Sequence, residues 1–352
     1  MRFSVIWRVH TLGKLGVAIF LSAVITSVGY AEDLYVGFPG VNGSKDLVCD
    51  KWVDRDSVPP SQDTGIYKGP YVCVQYHLVE SSVGKIYIEK LLSGSVPIPV
   101  TFANNLTAKS AWTPSMEKFN GQYYMAYKDS SGRVYYSWSQ DGRYWANPYT
   151  VNGLTSEGTP QLQAFNGRLY LFILTSASAV MYTSTADGSS WAAVRSTPAG
   201  SAKPPTLTVF NGKMYMTYRG KSSQFIYVQS TSDGIAWSSA VKILQKTSEA
   251  PSIAVHNGQL FIAFKGGTTE HIYLMRSSNG VSWTGAWRPN STWQTDKAPA
   301  IESYNNQLYL AFKGTDSDKV YYSSSADGIA SWKTSVERSY SKSKGMLNLS
   351  VY

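Results

Sequence analysis

From about residue 111 to residue 336, short apolar runs alternate with polar, glycine-bearing turns, and the alternation itself repeats. The opening element recurs as Pro114-Ser-Met-Glu-Lys-Phe-Asn-Gly121, Pro160-Gln-Leu-Gln-Ala-Phe-Asn-Gly167, Pro205-Thr-Leu-Thr-Val-Phe-Asn-Gly212, Pro251-Ser-Ile-Ala-Val-His-Asn-Gly258 and Pro299-Ala-Ile-Glu-Ser-Tyr-Asn-Asn306. An apolar run follows each time: Tyr123–Lys128, Leu169–Leu174, Met214–Arg219, Leu260–Lys265 and Leu308–Lys313. A third run carries aromatic or β-branched residues, as in Val134–Ser137 and Val320–Ser323. Each unit then reaches an Asp-Gly or Asn-Gly turn and a tryptophan. The turn glycines fall at 142, 188, 234, 280 and 328, a period of 46, 46, 46 and 48 residues. A period of this length is the signature of a repeat architecture.

One unit can be built from its turn chemistry. Asn-Gly between two apolar runs tolerates positive φ, so it predicts a hairpin from the first strand to the second. Asp-Gly or Asn-Gly does the same between the third run and a Trp-led fourth strand. Four short strands cannot bury both faces of their own sheet, whereas radial stacking of such sheets does, which is the β-propeller solution. The opening proline cannot donate to a ladder and belongs at a strand start. The turn tryptophans are expected to plug the space between neighbouring blades.

Outside the clear repeats, Tyr71–Val79, Lys85–Lys90 and Val96–Phe102 read as three strands of a degenerate first blade (residues 32–110 with an irregular insertion). The tail, residues 345–352, is expected to supply its missing strand and close the ring. That predicts an all-β propeller of six blades, each of four antiparallel strands. Asp33–Phe38 offers material for a seventh. Residues 39–69, rich in Gly, Pro, Ser and Asp, read as a loop insertion.

The N-terminus carries Arg2, Arg8 and Lys14, then an uncharged run from Leu15 to Ala31, then Glu32-Asp33. A basic start, a short apolar stretch and a small residue before a polar break describe a secretory signal peptide, cleaved after Ala31. The expected product is an exported protein, secreted or periplasmic, with no membrane span and one domain over residues 32–352. The whole chain carries +9, and losing the three basic leader residues leaves +6. No Lys/Arg run exceeds two residues. A nucleic-acid partner wants clustered charge and is set aside, whereas a glycan remains compatible. Cys49 and Cys73 are the chain's two cysteines, and an oxidising compartment favours their pairing. Two cysteines exclude a zinc cluster.

The closing turns, Ser139-Gln-Asp-Gly-Arg-Tyr-Trp145, Thr185-Ala-Asp-Gly-Ser-Ser-Trp191, Thr231-Ser-Asp-Gly-Ile-Ala-Trp237, Ser277-Ser-Asn-Gly-Val-Ser-Trp283 and Ser325-Ala-Asp-Gly-Ile-Ala-Ser-Trp332, resemble the Asp-box (BNR) repeat of the sialidase superfamily. That pattern is Ser-x-Asp-x-Gly-x-x-Trp. Here Asp or Asn and Gly are adjacent, and four of the five boxes are one residue short. The whole unit is also similar to repeats of propeller lectins of the Photorhabdus type. The resemblance implies a propeller over residues 111–336 and structural roles for Asp141, Trp145, Asp187, Trp191, Asp233, Trp237, Asn279, Trp283, Asp327 and Trp332. It separates catalytic from non-catalytic relatives poorly, because the boxes build turns in both.

A sialidase needs three substrate-binding arginines, a Tyr–Glu pair and an acidic acid/base residue. The Arg-Ile-Pro signature is absent: Pro97-Ile-Pro99 has no arginine before it. No catalytic residue is assigned. Binding suits repetition better, since similar blades generate similar sites. Lys128, Arg219, Lys265 and Lys313 occupy one position just after the second strand, with Asp129 beside the first of them. Glu157, Glu249 and Asp296 lie in the loops before each proline, and Trp112 and Trp293 offer faces for a pyranose. These residues are the candidate ligand sites. The histidines share no ligand spacing, so no metal and no cofactor is expected. The sequence thus points to an exported, non-catalytic carbohydrate-binding propeller with glycans as partners. A sialidase-like glycoside hydrolase and a protein-interaction propeller are the alternatives.

Overall fold

The computed structural model describes strand backbone at residues 34–39, 45–54, 67–68, 71–80, 86–90 and 98–99, then residues 110, 112–142, 144–342 and 347–351. The expected signal peptide lies outside the described residues, as do most of the 39–69 insertion and the side chains of Cys49 and Cys73. Among the described residues no helix is long and apolar enough to cross a membrane.

Before the repeats run β1 (Leu34–Pro39), β2 (Lys45–Asp54), β3 (Tyr67–Lys68), β4 (Tyr71–Glu80), β5 (Ile86–Lys90) and β6 (Ile98–Pro99). The first repeat is β7 (Ser115–Phe119), β8 (Gln122–Lys128), β9 (Arg133–Ser139) and β10 (Tyr149–Thr155). The second is β11 (Gln161–Phe165), β12 (Arg168–Leu174), β13 (Ala179–Thr185) and β14 (Arg195–Gly200). The third is β15 (Thr206–Phe210), β16 (Lys213–Arg219), β17 (Phe225–Thr231) and β18 (Val241–Lys246). The fourth is β19 (Ser252–His256), β20 (Gln259–Lys265) and β21 (Ile272–Ser277). The fifth is β22 (Ala300–Tyr304), β23 (Gln307–Lys313), β24 (Lys319–Ser325) and β25 (Val336–Lys342), and β26 (Asn348–Val351) follows.

The fold is an all-β propeller, with each repeat forming one antiparallel meander. Five blades have four strands, not the expected six or seven. The fourth repeat, whose period is two residues longer, stops at three: its outer segment makes only the isolated bridges Leu274↔Trp287 and His271↔Gln294. Of the N-terminal strands, β1, β5 and β6 join β26 in one of the five four-stranded sheets, whereas β2, β3 and β4 add no blade. β2 and β4 are long, pair with each other through bulges, and form a separate sheet with β3. Cys49 faces Tyr76 and Cys73 faces Trp52 in that register.

The tail strand β26 pairs with β1, Leu34 against Val351 through Gly37 against Asn348. β5 and β6 complete that sheet, so 71–79 is not the partner of the tail. The innermost strands β7, β11, β15, β19, β22 and β26 touch in that order, and β26 touches β7 again.

The second strand of every repeat is buried on both faces, which explains why it reads as an unbroken apolar run. One face packs on the preceding repeat and the other on the following one. Leu162, Leu169, Leu171 and Ile173 thus share a cluster with Phe119, Tyr124 and Ala126 of the first repeat. Each fully buried side chain of this size contributes about 1.5–3 kcal/mol.

The turns add directional contacts. Asn120, Asn166, Asn211 and Asn257 adopt positive φ, as the first hairpin demands, with glycine following. Asn120, Asn166 and Asn257 then donate their amides to the carbonyls of Ala186, Ser232 and Ala326 in the next repeat's closing turn, at 3.3, 3.0 and 3.0 Å.

In the closing turns the hydroxyls of Ser139, Thr185, Thr231, Ser277 and Ser325 donate to Asp141, Asp187, Asp233, Asn279 and Asp327. Each hydroxyl also accepts the N–H of the turn glycine. The backbone N–H groups of Ser190 and Ser189 hold the Asp187 carboxyl well below the usual carboxylate range.

The tryptophans sit in the turns and do not lead the fourth strands: Trp145 bridges back to Ser139 and β10 begins at Tyr149. Trp145 is buried. Trp191, Trp237 and Trp332 set their edges or faces against Tyr136, Phe172 and Trp293 at 5.4, 6.0 and 6.0 Å, and Trp283 packs beside the cluster of Phe210 and Ile253.

Two outcomes test this packing. Deleting residues 345–352 removes the partner of β1 and should cause aggregation through the freed edge; a truncated protein that stays soluble with an unchanged melting temperature contradicts it. A Cβ on Gly188 meets the Tyr124 hydroxyl, whereas one on Gly167 meets open space, and both glycines have positive φ. Gly188→Ala should therefore destabilise by about 1–3 kcal/mol more than Gly167→Ala in denaturant unfolding, and equal effects would show that the seat is loose.

Candidate functional site

In each of the five repeats the first hairpin turn and the closing Asp-Gly or Asn-Gly turn occupy one end, so the second-to-third-strand hairpins and the loops before the prolines share the other end. That end is organised by a residue the sequence reading passed over. Ser110, Ser156, Ser201, Thr247 and Thr295 stand four residues before Pro114, Pro160, Pro205, Pro251 and Pro299, and all are buried. Each hydroxyl donates to the carbonyl two residues on and accepts the N–H of that same residue. Ser110, Ser156 and Ser201 also reach the carbonyls of Lys128, Leu174 and Arg219 at 2.8, 3.5 and 3.0 Å. The constant spacing to the proline was the available signal.

These knots fix where the second strands end, and therefore where the four expected cations sit. Lys128 is 6% exposed, and its ammonium donates to the Ser156 carbonyl at 2.6 Å and lies 5.2 Å from the centre of the Trp112 ring. Burial lowers its pKa, with Glu157 and Asp129 pulling the other way. Lys313 is 4% exposed, bonded to both carboxylate oxygens of Asp296 at 3.0 and 2.9 Å, and 4.0 Å from Asp318. Lys265 donates to Ser248 Oγ at 3.0 Å. Hydrogen bonds within the protein engage all three, and Lys128 and Lys313 are buried while Lys265 is half-buried. Arg219 differs: its guanidinium makes no hydrogen bond or ion pair among the described residues, and its buried Nε has no partner.

The remaining candidates divide similarly. Asp129 accepts from the Ser131 and Arg133 backbone and the Ser131 hydroxyl, so it shapes its own hairpin. Glu249 pairs with Lys203 at 2.9 Å. Glu157 is exposed, and Trp112 is 39% exposed beneath the Lys128 ammonium. Trp293 corrects the expectation of a stacking platform: it is 6% exposed and packs against Phe312 and Trp332.

A concave site lies where β14 ends beside the β16–β17 hairpin, a pocket of about 240 Å³ lined by Gly200, Tyr218, Gly220, Lys221, Ser222, Ser223, Tyr227 and Ala240. The Tyr218 and Tyr227 rings stack at 5.6 Å. The Tyr227 hydroxyl is 3.5 Å from Ser223 Oγ, and Lys221 bridges to the Ala177 carbonyl of the preceding repeat at 2.8 Å. Burial pushes Tyr218 up to about 12, and its hydroxyl donates to Gln229. Stacked pairs recur as Tyr127–Tyr135, Phe264–Tyr273 and Phe312–Tyr321. In three repeats the hairpin begins Gly-x-x-Ser/Thr, at Gly220–Ser223, Gly266–Thr269 and Gly314–Ser317. Alpha carbons of Gly220, Gly266 and Gly314 lie against the following Tyr227, Tyr273 and Tyr321 rings, leaving no room for a side chain.

A second feature lies on the innermost strands. Glu117 on β7 and Glu302 on β22 occupy the same repeat position, and Gln163 Nε2 is 3.5 Å from Glu117 Oε2. Both side chains keep some solvent contact while protein crowds around them. Burial, then the charge of Glu302, pushes Glu117 up to about 8, although the Lys118 and Ala164 backbone N–H groups oppose the rise. Burial pushes Glu302 up to about 7, against the Ser303 backbone N–H. Among the described residues no group of three or more His, Cys, Asp and Glu is placed to hold a metal.

A family model for the DUF6242 beta propeller domain matches residues 197–345. No curated protein sequence matches the chain. The chain is similar to Aleuria aurantia lectin, a fungal six-bladed β-propeller with a fucose recognition mode, at 14% identity and TM-score 0.52 over 74% of this chain and 90% of that one. It is similar to the Hadza microbial sialidase Hz136 at 12% identity and TM-score 0.50, over 86% and 85%. An alpha-L-arabinofuranosidase from Clostridium thermocellum gives 17% identity and TM-score 0.43 over 66% and 95%. At these identities the likeness is one of fold.

The carboxyl pair gives a pH prediction. A carboxyl whose pKa is raised by folding stabilises the fold fully below its unfolded value, near 4.5, and loses that contribution as pH rises through about 7 to 8. Stability should therefore fall between pH 5 and about 8. Glu117→Gln should flatten the upper part of that fall in melting curves; a variant tracking the parent at every pH would dismiss the pair as its source.

Proposed function

We propose that this protein is a non-catalytic carbohydrate-binding propeller, acting after export, with glycans as its ligands. The observation that carries the reading is the pocket at Tyr218 and Tyr227. It joins a stacked aromatic pair to the hydroxyls of Ser222 and Ser223 and the Lys221 amine in about 240 Å³. Aromatic faces pack on the C–H faces of a pyranose while hydroxyls and amines bond its rim. The pocket's size suits one sugar residue. Recurrence of the aromatic pair and the Gly-x-x-Ser/Thr hairpin in the fourth and fifth repeats supports weaker companion sites, which would add avidity. A propeller lectin among the similar folds agrees with the reading.

A glycoside hydrolase is the second reading, favoured by Glu117 and Glu302 as two carboxyls on the innermost strands. Acid–base chemistry needs two environments that push pKa values apart, whereas burial raises both of these. Binding is therefore preferred.

A glycan array on the protein, read for both retention and cleavage, tests the choice. Bound and uncleaved glycans are expected, and Tyr227→Ala should weaken the best of them several-fold with folding intact. Cleavage lost in Glu117→Gln would favour the hydrolase, and no retention of any glycan would remove the lectin reading.

A further inference from the structure

We infer that the corner around Arg219 binds an oxyanion carried by the ligand, so that the preferred glycans are acidic. This inference rests on the carbohydrate reading above and adds the charge of the ligand to it. Of the four cations at one repeat position, Lys128, Lys265 and Lys313 spend their N–H groups on Ser156, Ser248 and Asp296. Arg219 has no internal partner for its guanidinium among the described residues, and its Nε is buried. The side chain is half-buried, and its Nε is a donor that a water or an ion can satisfy from the solvent side.

Local charge points the same way. The backbone ties Lys203, Arg219 and Lys221 together: Ala202 N–H donates to the Arg219 carbonyl at 3.0 Å, and Lys221 N–H donates to the Gly200 carbonyl at 2.9 Å. The Ser201 hydroxyl joins the Arg219 and Lys203 carbonyls. Against these three cations stands one paired carboxylate, Glu249, held by Lys203 at 2.9 Å. The equivalent corner of the fifth repeat is the reverse, with Asp296 and Asp318 both near Lys313. The rim is thus uneven; Arg219 stands between Tyr218 and Gly220 of the pocket along the chain, at the strand end, with its side chain on the face of β16 opposite Tyr218. A guanidinium fork presents parallel N–H donors that match a carboxylate or a sulfate ester.

The test compares polygalacturonate, dextran sulfate and neutral dextran by calorimetry on the full chain at low and high salt. Both acidic polymers should bind more tightly than dextran, with affinity falling as salt rises, and the better of the two identifies the oxyanion. Arg219→Gln should lose at least about tenfold in affinity for that polymer. Lys319→Ala removes an equal charge on the outer part of the fifth repeat, at a residue paired with Glu337, and should stay within about twofold. Arg219→Lys keeps the charge without the fork and should lose several-fold while retaining the salt dependence, which covers the case of a poorly folded glutamine variant. An Arg219→Gln protein that melts normally and binds within twofold of the parent overturns the inference. So does equal binding of all three polymers, an outcome that leaves the carbohydrate reading intact. Failure to bind any acidic polymer while the array retains neutral glycans refutes the acidic preference alone.

Discussion

The structure depends on the seating of each closing turn on the aromatic ring of the repeat before it. Tyr124, Tyr170, Tyr215 and Phe261 lie directly beneath Gly188, Gly234, Gly280 and Gly328. Only a glycine combines that closeness with positive φ at the turn. The hairpin asparagines fasten the same contact from the side through a carbonyl of the next turn. Each blade alone would leave one face of its apolar second strand wet. The seat presses neighbours together closely enough to bury both faces, and the turn tryptophans fill the remaining wedge. At Gly328 the ring beneath is Phe261, and Leu308 shares the contact. In that repeat pair His256 takes the place of the usual phenylalanine, and its Nε2 donates to Ala326 as the asparagine beside it does.

The propeller was legible because local chemistry repeats in phase. Asn-Gly, Asp-Gly and the leading proline each dictate backbone geometry within a few residues, so a period of 46 carries the meander with it. The number of four-stranded blades was not legible, because outer and closing strands are chosen by distant partners. Asp33–Phe38 offers material for a seventh blade by sequence, yet Leu34–Gly37 pair with the tail. Tyr71–Val79 reads as a strand of the first blade, yet β2 offers it a longer ladder. In the fourth repeat the outer segment makes only isolated bridges at Trp287 and Gln294, and the Pro289-Asn290 turn between them, where Asn290 accepts from the Thr292 N–H, was the legible sign of that interruption.

The binding face was half legible. Repeat position located the cations at the strand ends, but position does not reveal what a side chain bonds. Lys128 and Lys313 are drawn inward by a carbonyl and a carboxylate contributed by other loops. Trp293 seemed available for a sugar because it lies in a polar loop, whereas Phe312 and Trp332 enclose it. The hydroxyls at Ser110, Ser156, Ser201, Thr247 and Thr295 escaped notice because serine and threonine are common in every loop here. Their burial marks them as structural, and only the fixed distance to proline distinguished them in the chain.

The pairing of β26 with β1 has a kinetic side. β1 waits for β26, so a nascent chain emerging from its amino end cannot complete the ring until all five repeats and β26 have been made. Until then β1 offers an unpaired edge, and the inner strands of the first and fifth repeats face an open gap. Long-range pairing of this kind delays folding because closure entropy must be met before the contact rewards it. Repeats in the middle of the chain escape that delay, since each hairpin needs only its own neighbours. The molecule should therefore assemble as a growing arc of blades that snaps shut late, with its two ends as the last surfaces to become safe from other chains.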